Sequence, residues 1–310
     1  MDQVLFTIEW HLKASCTWIG SLLSVGVCLA LVFIEVQRAT KISKSTIFTF
    51  LIATTGLCST FMAQTTFVQE CLNAYTAPDW LIALRSFFTS EYGVFLENLF
   101  NPMLDLLIIC DGLTLFIIIC CPEKKTRFLS KRAICIYLVI VAVISGIIAT
   151  LATKAFIDLL APRKIGQGKY AWIADIIFRF VISASSAVFH LVFTIRIRIS
   201  LKKSIEFLAQ SNVTSDNAKK YQRIMVFTTT ISCIFFSYNI IAHLLQAWCS
   251  INQQLLANFP LSVVSYAFNL DVQRAAQIVK YLVKMLFCMK PFAFGITYIW
   301  VRYPRKKRNN

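Results

Sequence analysis

Long apolar runs, unbroken by the alternation of a half-buried strand, recur along the whole chain. Seven stand out, at about 15–36, 45–67, 99–121, 133–156, 172–195, 224–248 and 276–301. Each meets the roughly 20 apolar residues that a helix needs to cross a bilayer core. The pattern predicts an all-α fold: one seven-helix transmembrane bundle over residues 1–310, with its longer connections at 68–98, 196–223 and 249–275. Residues 255–270 are too short for a further span and are interrupted by Pro260, so they read as an outer loop. The first run is a full span in length, and Asp2 and Glu9 precede the first basic residue, Lys13. It therefore reads as a signal anchor rather than a cleaved leader.

Composition agrees: 57% of the 310 residues are hydrophobic and 15% charged, against about 45–50% and about 25% in soluble domains. Seven spans leave no room for a sizeable soluble domain. The net charge of +16 would suggest nucleic acid in a soluble protein, but here the basic residues are parcelled between apolar runs, and no nucleic-acid partner is expected. Counted by alternate connections, Lys and Arg number twenty on one side, including the tail from Arg302 to Arg308, and seven on the other. The positive-inside rule then puts the C-terminus in the cytoplasm and the N-terminus outside. The sequon at Asn212 falls on the cytoplasmic side and is expected to be unused.

Charges inside spans cost about 2.5–3.5 kcal/mol each, so each needs a partner or a purpose. Span three carries Asp105 and Asp111; span seven carries Lys280, Lys284 and Lys290. Starting the spans at 99 and 276 puts Asp105 and Lys284 at about 9 and 12 Å depth, and Asp111 and Lys290 at about 18 and 21 Å. Depth therefore predicts Asp105 with Lys284 (or Lys280) and Asp111 with Lys290. Such pairs serve either as polar glue that fixes helix register or as function. On the functional reading, the outer pair lines a ligand cavity and the inner pair, beside Pro291, is a conformational lock. Asp175 and Arg179 share a face of span five at i,i+4 spacing and neutralise each other or join the ligand site. Pro102 is expected in the first turn of span three behind an Asn101 cap. Trp18, Trp80, Trp172, Trp248 and Trp300 fall near interfaces as anchors.

Eleven cysteines, mostly inside spans, show no metal spacing; Cys120-Cys121 is the one close pair. No metal site, cofactor or enzyme motif is expected. Arg196, Arg198, Lys202, Lys203, Lys219, Lys220 and Arg223 flank the 196–223 loop, which continues the helical pattern of span five. They read equally as anchors to anionic lipid or as a docking face for a cytoplasmic transducer.

Seven spans, an outer N-terminus, a basic third inner loop and Pro291 near the end of the last span together resemble a G-protein-coupled receptor. The short loops, brief tail and Phe/Ile/Cys-rich spans look most like the nematode serpentine chemoreceptors. That resemblance implies a multi-pass plasma-membrane protein, chemosensory and olfactory in type. It would bind a small molecule between the outer halves of its helices and signal through a heterotrimeric G protein. The motifs depart from the rhodopsin-like pattern: Lys290-Pro291-Phe292-Ala293-Phe294 stands where Asn-Pro-x-x-Tyr is usual. No Asp/Glu-Arg-Tyr follows span three, span six lacks proline, and residues 157–172 contain no cysteine. Cys71 and Cys249 are the pair expected to form any outer bridge. Lys284 precedes Pro291 by the seven residues that separate lysine and proline in opsins, but with the flanking motif changed no chromophore is expected. The competing reading is a transporter or channel whose intramembrane Asp and Lys residues line a path.

Overall fold

The computed structural model describes residues 2–37, 44–62, 79–160, 165–210, 215–241, 244, 286 and 289–300. All of its regular structure is helical among these residues. The order is α1 (Asp2–Gln37), α2 (Lys44–Met62), α3 (Asp79–Thr89), α4 (Glu91–Cys120), α5 (Lys125–Phe128), α6 (Lys131–Leu160), α7 (Ile165–Gln210) and α8 (Ser215–Phe236). A π-helical turn, Ser237–Ile241, continues α8, and residues 289–300 form α9. Five helices among the described residues are long and apolar enough to cross a membrane, and α2 contributes a shorter apolar stretch, Ile47–Met62.

The central helix is α4, which packs against α2, α6 and α7. Ser90 caps it, its hydroxyl accepting the Gly93 N–H at 3.2 Å, and Glu91 sits favourably in the first turn. At the other end the Cys121 N–H closes on the Ile117 carbonyl, and Pro122 breaks the chain into a short 3-10 turn. Two expectations are corrected here. The 68–98 connection is not one long loop, since it holds α3 and the first turns of α4. Asn101 is not a cap and Pro102 lies within the helix; Asn101 instead accepts the Ser59 hydroxyl from α2 at 2.7 Å.

The faces sort in the membrane manner. On α6, Ile136, Val139, Ile140, Val143 and Ile147 are exposed, while Ile134, Val141, Ser145, Ile148 and Ala152 turn inward. An exposed apolar face this broad suits lipid as its solvent. The apolar core joins Leu31, Phe48, Ile52, Leu104, Leu107, Ile108, Phe227, Phe235, Phe294 and Tyr298 from five helices. Hydroxyls inside the helices bond back to their own preceding turn, as Thr60 does to Gly56 and Thr114 to Cys110. That satisfies them where no water is available. Where helices cross closely, glycine makes the room. A methyl on Gly56 would press on Cys28 and Pro291, and one on Gly295 would overlap Val27.

Candidate functional site: a buried ion pair and a polar cluster

The middle of the bundle holds charges. Lys290 of α9 is 1% exposed and its ammonium donates to the Asp105 carboxylate of α4, itself buried. A second Lys290 hydrogen goes to the Asn239 side-chain oxygen at 2.8 Å, and the Phe235 ring lies 6.0 Å from the ammonium. Asn239 is fully buried and belongs to the π turn. A π turn carries an extra residue, which shifts the side chains that follow it around the helix and often marks a functional position. Here the turn carries the amide that the ammonium binds. The site is thus built from three elements, and neither charge is left alone in a low-dielectric interior.

The pairing differs from the one expected by depth: Lys290 takes Asp105 as its partner rather than Asp111. The reason is the start of α4. It begins at Glu91, eight residues before 99, and eight residues are about 12 Å of helix. Asp105 therefore lies about 21 Å along its helix, level with the depth expected for Lys290. Asp111 lies six residues, about 9 Å, further in and accepts the Tyr298 hydroxyl at 2.6 Å.

Around Asp111 a second polar cluster has formed. His190 of α7 is buried; its Nδ1 lies 2.7 Å from the Ser232 hydroxyl of α8, and its ring stacks on Phe235 at 5.4 Å. Ser232 also meets Thr194 at 2.5 Å. Phe227 stands edge-on to Tyr298 at 5.0 Å. A cavity of about 10 Å³ lies among Asp111, Gly112, His190, Thr194, Thr228 and Tyr298.

Asn239, Tyr298 and Ser232 were not singled out by the sequence. For Asn239 a signal existed, an amide inside an apolar run; Tyr298 and Ser232 are ordinary residues of such spans. Pro291 packs its ring against Gly56, so the residue beside the ion pair also fixes the approach of α2. Arg196, Arg198, Lys202, Lys203, Lys219, Lys220 and Arg223 all lie exposed where α7 ends and α8 begins. Of these, Lys202 sits 3.9 Å from Glu206, an exposed i,i+4 pair of little energetic weight. Asp175 and Arg179 both lie on α7, their side chains outside the described residues. Lys280, Lys284, Cys71, Cys249, Asn212 and residues 255–270 also lie outside them. No group of three or more metal-ligating side chains occurs among the described residues. Chemically, the arrangement holds charge and fixes helix positions; it presents a paired acid and base rather than a nucleophile and its base.

No family model matches the chain, and no curated protein matches it. Solved structures do: 71 chains match. One is the crystal structure of squid rhodopsin, with a TM-score of 0.58 and 12% sequence identity, covering 95% of this chain and 83% of that chain. At that identity the likeness is one of fold. The chain is a helical, multi-pass membrane protein with a rhodopsin-like fold.

Proposed function

We propose that this chain is a receptor of the G-protein-coupled type, a single seven-span domain in the plasma membrane with its N-terminus outside. It would serve chemosensation, binding a small molecule between the outer halves of its helices. The observation that carries this reading is the Lys290–Asp105–Asn239 knot. It ties the central helix, the last helix and a π turn together in the interior of a rhodopsin-like bundle. An element with two discrete arrangements is what a receptor needs, and a buried ion pair that either holds or parts is such an element. Asp105 and Lys290 form the lock in this reading, with Pro291 beside it. Lys280, Lys284, Asp175 and Arg179, together with Asp105, are the ligand contacts in this reading. Release of the lock would move α4, α8 and α9 and change the inner face. There Arg196, Arg198, Lys202, Lys203, Lys219, Lys220 and Arg223 supply the docking surface for a heterotrimeric G protein. A transporter or channel is not favoured, because the buried Lys290 and Asp105 are paired with each other across two helices rather than set along a path.

The test is a small-molecule screen on the expressed protein with a G-protein readout, followed by joint neutralisation of Lys202, Lys203, Lys219 and Lys220. A ligand response that disappears in the neutralised protein, with surface expression retained, supports the proposal. Ligand-evoked currents that persist without any G protein contradict it.

A further inference from the structure

The short helix α3 ends in a single extended residue. Ser90, with φ −68° and ψ 160°, is the N-cap of α4, and its own N–H still closes on the Ser86 and Phe87 carbonyls of α3. Such a residue interrupts the helical path, so α3 and α4 meet at a corner rather than forming one rod. Helix α4 has 30 residues, about 45 Å, which is the thickness of a bilayer with both its headgroup layers. The corner at Ser90 therefore falls at headgroup level.

What α3 presents there is apolar. Trp80 is 66% exposed, Ile82 52% and Phe87 43%, and Tyr92 in the first turn of α4 is 78% exposed. Trp80, Ala83 and Phe87 follow the i, i+3, i+7 spacing of one helix face, and Ala83 is exposed with them. The charged residues of α3 are Asp79 and Arg85, which cancel. On a helix of 11 residues, this would be an uncovered apolar patch in water. Trp and Tyr are the side chains that settle between hydrocarbon and water, apolar in the body and polar at one end.

We propose that α3 is an interfacial helix whose Trp80–Phe87 face lies in the headgroup layer, its partner being membrane phospholipid. The bundle already presents apolar side chains to lipid, on α6 as on α9, so the same solvent covers both surfaces. Because α3 carries no net charge, the attraction is apolar and does not select anionic headgroups. That sets it apart from the basic cluster of α7 and α8, where charge would do the binding. Held this way, α3 fixes the height at which α4 begins, and with it the depth of Asp105, whose ion pair ties α4 to α9. The proposal rests on the membrane-spanning bundle and not on the receptor reading.

Quenching of tryptophan emission by brominated phospholipid, with the full chain in nanodiscs, tests this. The Trp80 signal is the difference between the protein and Trp80→Phe, a change at a mostly exposed position. Trp300, 69% exposed on α9, is read in the same way through Trp300→Phe and reports that the bundle itself is in the membrane. Trp80 is expected to lose most of its emission to bromines near the headgroup end of the acyl chains, less to bromines near the chain ends, and little to aqueous iodide. The loss should be equal in zwitterionic and anionic nanodiscs, and a loss confined to anionic ones would overturn the proposal. Trp80 quenched by iodide while Trp300 is quenched by lipid would overturn it as well, placing α3 in water above the membrane. So would a Trp80 shielded from both quenchers, since a second copy of the chain or another protein would then cover that face. If neither tryptophan responds to bromine, the membrane bundle itself fails, and the interfacial helix with it.

Discussion

At the scale of single residues, the interior is governed by a demand for partners. Tyr298 is 1% exposed and spends its hydroxyl on Asp111. Tyr298→Phe keeps the ring packed on Phe227 and removes only that donor, so it should cost about 1–3 kcal/mol. The check is the melting temperature of the purified protein in detergent, where a drop is expected and an unchanged value would show the bond to be idle. Which acids and bases lie inside the spans was legible, because any charge within an apolar run stands out. Which acid meets which base was not. The apolar run of span three starts near residue 99, whereas Ser90, with Glu91 after it, starts α4 about two turns earlier. The Asn239 amide was visible inside its apolar run, but its partner was not, because its position depends on a π turn and hydropathy carries no record of one.

At the scale of helices, close crossings separate the glycines into two kinds. Gly295 on α9 faces Val27 of α1 with no room for a methyl, whereas Gly146 on α6 has nothing within 4 Å. Gly295→Ala should therefore cost about 1–3 kcal/mol through overpacking. Gly146→Ala should be neutral or gain up to about 1 kcal/mol from helix propensity. Thermal unfolding of the two variants side by side checks this, and a reversed order would mean that α1 and α9 do not pack as described. Five of the expected spans coincide with long apolar helices among the described residues, so those were legible from their apolar runs, but their ends were not. Helix α7 runs on as 46 residues, about 69 Å. That is more than twice a bilayer core, because nothing in its sequence stops it where the lipid does.

At the scale of the molecule, the bundle is apolar outside and encloses a few polar groups within its apolar core, and seven exposed basic residues gather where α7 ends and α8 begins. If that face docks a transducer, neutralising Lys202, Lys203, Lys219 and Lys220 together should abolish agonist-driven cyclic-nucleotide or calcium signals while leaving surface expression intact. Retained signalling would point to lipid anchoring as their role. Fold class was legible because a hydropathy pattern of this strength admits few architectures; function was not, since the receptor motifs are altered at Lys290 and Phe294. The proposed lock is the ion pair between α4 and α9, and exchanging its charges tests it directly. Asp105→Lys and Lys290→Asp are each expected to lose about 3–5 kcal/mol, having left two like charges buried together. The double exchange restores an opposite pair and should recover most of that loss in thermal unfolding. A double variant no more stable than the worse of the two single ones would contradict the pairing, and with it the lock.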